Sequence, residues 1–328
     1  MAIVMRDKKP WIAILLCACA LLSACGSSGP GESAPASGSP AGSARPQETN
    51  SVTITDSTGA EAQLPRNPRV VCLYGSYCQA WLLAGGELCG VTQDAVEERN
   101  LDVGDAKIVG TVKEPNAEEI IGQQPDLVIL SLDVAAQQDM VDVLENAGLT
   151  CLSYRVDTFE DYSAMMEQFC KATGHPELFE EKAEKVGEQI AEAKERCGFS
   201  EDGPSVLLIR AFSTGLKAKT DDELAGAILK DLGCKNIADE HPSMLEDLSL
   251  EEAITADPDF IFVTTMGDEA KALGYLDSLI AGNPAWSGLS AVKEGRYVVL
   301  PKDLFHYKPN DRWGESYEYL GKILQGEN

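Results

Sequence analysis

Positive charge is scarce in this 328-residue chain: 27 Lys and Arg stand against 53 Asp and Glu, a formal net charge of -26. Phosphate recognition needs a basic surface, so nucleic acid is excluded as a partner. Histidine is scarcer still, with only His175, His241 and His306. Three dispersed imidazoles do not make a bare zinc or manganese site, which needs several converging on one metal. The signatures of catalysis are missing as well, with no G-x-S-x-G elbow, no H-E-x-x-H pair and no G-x-x-x-x-G-K-[ST] loop. The chain therefore reads as a non-enzyme. Aromatic residues make up 6% and hydrophobic residues 44%, a composition that excludes a multi-span membrane protein and suits a soluble one with two compact lobes.

Cysteine is present without a framework. Of ten cysteines, Cys17 and Cys19 lie in an N-terminal apolar run and Cys25 follows Leu22-Ser23-Ala24 in the pattern of a bacterial lipobox. Arg6, Lys8 and Lys9 precede that run, which is too short to span a bilayer and has the charge and length of a signal peptide. Cleavage before Cys25 removes three bases and one acid and takes the net charge from -26 to -28. Cys25 is then the lipid attachment site, tethering the chain to the outer face of the cytoplasmic membrane. The seven remaining cysteines are odd in number and form no C-x-x-C pair, so they read mostly as small buried hydrophobes.

Residues 1–24 are thus a lipoprotein signal peptide and residues 25–50, rich in Ser, Gly and Pro, a flexible tether. Folding begins near Val52, with a hairpin over residues 52–65 turning at 56–59. A continuous apolar run over residues 69–74 reads as a buried strand. A helix over residues 79–84 stops at Gly85-Gly86.

Further on, NAEEIIGQQPDLVIL (residues 116–130) aligns without a gap on SLEEAITADPDFIFV (residues 249–263), a shift of 133 positions. In each copy a polar N-cap precedes glutamates in the first turn, then comes Pro-Asp, then a strand. LLAGGELCGV (residues 82–91) similarly resembles ILKDLGCKNI (residues 228–237). One α/β plan is used twice. Between the copies, residues 177–197 hold no glycine except Gly187, and Phe179, Ala183, Val186, Ile190 and Ala193 keep 3 and 4 spacing, so a long helix buries one face. It is either the connector between lobes or a helix packed inside one of them.

These features, with Ile54-Thr55-Asp56, Leu64-Pro65, Arg69-Val70-Val71, Gly110, Asn283-Pro284-Ala285-Trp286 and residues 291–296, resemble the periplasmic binding proteins of ABC importers for iron-siderophores, haem and cobalamin. The resemblance covers residues 52–324. It implies two α/β lobes with central sheets bridged by one long α-helix: an N-terminal lobe over 51–157, a helical connector over 158–200 and a C-terminal lobe over 201–328. It implies a monomer with no intrinsic cofactor that hands a small-molecule metal chelate to an ABC permease dimer, served by separate ATPase subunits. It also implies that one glutamate on each lobe docks on the permease, and the matching positions are Glu118 and Glu251. Both equally complement a helix N-terminus, and the two roles are compatible.

In such folds the ligand lies beyond the carboxyl ends of the strands. Candidates there are Tyr74, Tyr77, Lys113 and Arg155 in the first lobe, and Arg210, Lys217, Lys219, His241, His306, Tyr307, Arg312 and Trp313 in the second. Basic residues recurring at strand ends of an acidic chain point to an anionic ligand such as a ferric chelate, against the alternative of ordinary surface ion pairs. Haem or cobalamin is the alternative ligand, and a sensing or adhesive lipoprotein without a transporter the alternative role. In the resembled family a His and a Tyr can complete an iron shell, which makes His306 or His241, with Tyr307, candidate ligands. Trp313 and Phe305 either stack on a planar ligand or belong to the core.

Overall fold

The computed structural model describes residues 51–199, 203–246 and 248–327. The expected signal peptide, tether and lipid-bearing Cys25 lie outside the described residues. The chain opens on an antiparallel hairpin, β1 (Ser51–Thr55) and β2 (Glu61–Pro65). Asp56 closes its turn, with one carboxylate oxygen accepting from the amides of Thr58 (2.8 Å) and Ala60 (3.0 Å). The other oxygen accepts from Ser153 N at 2.8 Å and so fastens the hairpin to the sheet that follows.

That sheet contains β3 (Val70–Cys72), β4 (Leu88–Val91), β5 (Lys107–Ile108), β6 (Leu127–Ser131) and β7 (Cys151–Tyr154), all parallel, in the order β5-β4-β3-β6-β7. The second sheet is built from β8 (Ser205–Phe212), β9 (Gly215–Lys219), β10 (Lys235–Asn236), β11 (Phe260–Thr265) and β12 (Tyr297–Val299). Its parallel path runs β10-β8-β11-β12, and β9 returns antiparallel on β8. Every residue of β6 and of β11 is buried, as expected where helices cover both faces of a parallel sheet. Apolar clusters fill the outer face of each sheet, and a third runs from the inner faces to the helices joining the lobes.

The repeat is reproduced in backbone detail. Helix Ala117–Gly122 precedes β6 and helix Leu250–Ala256 precedes β11. Asn116 accepts from the amides of Glu118 and Glu119, and Ser249 from that of Glu252. Both helices give way to a left-handed residue, Gln124 (φ 49°) or Asp257 (φ 41°), 133 positions apart. The Pro-Asp pair then does the same work in each lobe. Pro125 and Pro258 are buried, and the aspartate that follows takes the first free amide of the neighbouring strand. Asp126 accepts from Arg69 N at 2.8 Å and Asp259 from Ser205 N at 2.9 Å. Each carboxylate satisfies a backbone donor that no strand partner reaches.

Between the sheets the chain is helical. Helix Phe159–Thr173 starts on a Thr158–Asp161 capping box and ends at left-handed Gly174. From Pro176 a second helical run continues through Pro176–Phe179, a π turn over Glu180–Glu184 and Lys185–Cys197, ending at left-handed Gly198. The expected uninterrupted α-helix is therefore widened by one turn, where Lys182 O accepts from the Tyr162 hydroxyl at 2.9 Å. Ala183, Val186, Ile190, Ala193 and Cys197 form its buried stripe, and helix Trp313–Leu324 packs along it. The seven described cysteines are free thiols. Burial pushes Cys151 and Cys234 up to about 12, which keeps them protonated and unreactive.

Candidate functional site

The strand ends of both lobes border one cavity of about 450 Å³, within the usual range for a small-ligand pocket. On the first lobe its wall is set by the turn after β3. Tyr74 caps helix Gly75–Leu83 without a side-chain bond, and Asp94 supplies the missing acceptor by taking Gly75 N at 2.7 Å. The approach is so close that a Cβ at Gly75 would lie 2.7 Å from that carboxylate. Gln137, fully buried, ties the neighbouring loops together. Its amide donates to Leu73 O (2.6 Å) and Val112 O (3.1 Å) and accepts from Ser131 N (2.8 Å). The ends of β3 and β6 and the loop carrying Lys113 are thus held by one side chain.

On the second lobe Arg210 leaves the end of β8 and pairs with Glu223, which also meets Lys219 at 3.3 Å. Lys219 bridges to Asp222 at 2.9 Å as well. The loop carrying these acids is pressed onto helix Leu224–Asp231, where a Cβ at Gly226 would fall 1.8 Å from Thr220 O. Beyond β12, His306, Tyr307 and Lys308 complete the wall. Burial, with help from Arg210 and Lys302, holds His306 down at about 4, so the ring is neutral at ordinary pH, and its buried Nδ1 has no partner among the described residues. Its ring meets Tyr307 edge-on, with centroids 4.9 Å apart. Tyr74 is pushed up to about 12, first by burial and then by Asp94.

Of the residues expected at the site, Tyr74, Lys113, Arg210, His306 and Tyr307 border the cavity. Lys219 stands behind it, neutralising two of its acids. Arg312 borders a smaller neighbouring cavity of about 150 Å³ and is held by Asp303 (2.7 Å) and Glu315 (2.8 Å). The rest need correction. Tyr77 is fully buried and donates to Tyr154 O at 3.2 Å, because a helix beginning at Gly75 turns position 77 inward. Trp313 is core, only 1% exposed and edge-on to Phe159, because it opens the helix that packs on the interlobe helix. Arg155 is exposed and spent on Asp133 at 2.7 Å. Lys217 sits on the exposed face of β9, and His241 lies before the short helix Pro242–Leu245; neither reaches the cavity. Phe305 does reach it, while its ring packs on Tyr319.

Sequence reasoning missed Asp94, Glu98, Arg99, Asp157, Asp221, Asp222 and Glu223, all on the cavity wall. The strand-end rule finds the first three once the helix following β4, Gln93–Glu97, and the two residues after it are included. The omission matters because the expected basic cluster is mostly cancelled. Lys308 pairs with Asp157 and Arg210 with Glu223. Among the described residues, the cavity's Arg99 and Lys113 are the cations with no carboxylate within ion-pair distance. Arg99 donates instead to neutral oxygens: Ser76 Oγ (3.2 Å), Gln79 Oε1 and Lys308 O (3.2 Å). Its guanidinium lies 5.5 Å over the Tyr307 ring, and its buried Nε has no partner among the described residues.

The sequence pattern of the periplasmic binding protein family matches residues 70–304. The Fe(3+)-citrate-binding protein YfmC of Bacillus subtilis is 26% identical over 302 residues, covering 89% of each chain. Among solved structures, the iron-uptake ABC transporter substrate-binding protein PiuA of Streptococcus pneumoniae superposes with a TM-score of 0.66 at 22% identity, over 84% of this chain and 98% of its own. SirA of Staphylococcus aureus, complexed with staphyloferrin B, superposes with a TM-score of 0.63 at 21% identity, over the same shares. With its two lobes built on largely parallel sheets and the cavity between their strand ends, the chain belongs to the periplasmic binding protein family, as an extracytoplasmic solute-binding protein and not an enzyme.

Proposed function

We propose that this protein captures an anionic ferric chelate rich in carboxylate oxygens and delivers it to an ABC permease dimer with its own ATPase subunits. The observation that carries the proposal is the pair Arg99 and Lys113, two cations left without carboxylate partners on a cavity whose other cations are paired. An oxygen-rich anion supplies the charge-assisted bonds that they lack. The name of the Bacillus relative, a ferric-citrate-binding protein, supports the same ligand chemistry. Iron is cargo here, not a resident cofactor. His306, neutral through burial, and the adjacent Tyr307 are the side chains suited to fill a vacant iron position on an incompletely wrapped chelate.

In this reading the chain works as a monomer, anchored at the outer face of the membrane by lipid on Cys25. It docks through Glu118 and Glu251. Their support is geometric: both are exposed in the first turn of equivalent helices, and neither has an ion-pair partner among the described residues. Titrating the intrinsic fluorescence with ferric citrate, a ferric catecholate, haem and cobalamin tests the ligand class. Saturable quenching by ferric citrate is expected, and binding of none of the four sinks the chelate reading.

A further inference from the structure

The guanidinium of Arg99 is held differently from those of Arg210 and Arg312. Arg210 and Arg312 are fixed by carboxylates, which also cancel their charge. Among the described residues Arg99 donates its hydrogen bonds to an amide oxygen, a hydroxyl and a backbone carbonyl, and its face lies over the Tyr307 ring. Neutral acceptors orient a guanidinium and leave its charge available to a ligand. Without such restraint, a side chain this long loses rotamer entropy on each binding event.

We infer that Gln79 and Asn310 are positioning residues that hold Arg99 on the cavity wall, making the strength of the anion site depend on the junction between the lobes. The inference rests on the reading of Arg99 given above. Gln79 Oε1 accepts from Arg99 and also from Asn310 Nδ2 at 2.9 Å. Asn310 Nδ2 reaches Ser76 O at 2.9 Å too. The second contact to Asn310 fixes which way the Gln79 amide faces, with its oxygen toward Arg99. Asn310 is fully buried in the left-handed region, at φ 55°. Such a conformation persists in a non-glycine residue where the surroundings hold it. Asn310 and Lys308 lie beyond β12, whereas Ser76, Gln79 and Arg99 belong to the first lobe. The cation is therefore oriented by both lobes at once, and the same contacts that join them prepare the site.

The test uses the whole protein with ferric citrate as probe. Gln79→Glu replaces a neutral acceptor with a carboxylate of the same shape. It should weaken binding about tenfold or more, the scale of one charge-assisted bond, without lowering the melting temperature. Asn310→Gly keeps the positive φ, so the variant folds, and removes the amide; about tenfold weakening is again expected. In an Arg99→Gln background Asn310→Gly should change affinity less than about twofold, since a positioning residue has nothing left to position. Fully additive losses would mean a merely structural role and overturn the inference. Unchanged binding by Arg99→Gln would instead remove the functional reading of the site. Should the native protein bind no ferric citrate, the ¹⁵N resonance of Arg99 Nε decides. A single slowly exchanging signal lost in Asn310→Gly upholds the inference, and a signal indifferent to it rejects the inference.

Discussion

The two lobes share a scaffold and differ in what they do with charge. Helix, left-handed residue, Pro-Asp and strand recur at a shift of 133 positions, down to the aspartate that takes a backbone amide in each lobe. At the cavity the likeness ends. The second lobe closes its cation into a cluster, Arg210 with Glu223 and Lys219 with Asp222. The first lobe leaves Arg99 bound to neutral oxygens and Lys113 without a carboxylate. A duplicated fold fixes where a site lies, while the loops on the strand ends decide which half carries its charge.

The largest test of this contrast compares arginines. Arg99→Gln should weaken ferric citrate binding about a hundredfold, a loss of about 2.7 kcal/mol, and Arg210→Gln about tenfold at most. Equal losses in titration calorimetry would mean that both lobes bind the anion. Next come the strand clamps. Asp259 accepts from the Ser205 hydroxyl (2.7 Å) as well as its amide, while Asp126 accepts the amide of exposed Arg69. Urea unfolding should therefore show Asp259→Ala costing about 2 kcal/mol and Asp126→Ala about 1 kcal/mol. The reverse order would break the account of the repeat.

A smaller effect concerns pH. His306 sits at about 4 in the folded chain against an ordinary 6.5, so as pH falls the unfolded state takes up the proton first. The contribution is intact above pH 6.5 and declines down to about pH 4. After discount for the solvent that the ring still meets, it is on the order of 1–2 kcal/mol. The stability difference between native protein and His306→Gln, followed across that window, should show this slope; a flat difference rejects it. The smallest effect is expected on the outer face. Glu118→Lys with Glu251→Lys should leave ferric citrate affinity within about twofold and abolish cellular uptake, and normal uptake would remove the docking role.

Much of the scaffold was legible because it rests on local patterns. The hairpin, the repeated helix-Pro-Asp-strand unit and the stripe on the long helix all follow from spacing and caps. The π turn at Glu180–Glu184 was not legible, since nothing in its composition differs from α-helix. The site was half legible. Strand-end position brought Tyr74, Lys113, Arg210, His306 and Tyr307 to the cavity. It misplaced Tyr77 and Trp313, whose helical phase turns them into the core. Arg99 was hidden in an acidic run that reads as a solvated surface, and the pairing that neutralises Arg210 needs three-dimensional neighbours that no linear pattern displays.

The reach of Asn310 also orders events in time. Every strand pairing lies inside one lobe, so each sheet can form from nearby sequence, while one apolar cluster draws on both sheets and the C-terminal helix. The bonds from Asn310 to Ser76 and Gln79 close loops of 234 and 231 residues. A chain emerging from its amino end would thus pair the strands of its first sheet before Arg99 can be oriented. An anion site built on Arg99 would be complete only once the segment carrying Asn310 has been made and docked.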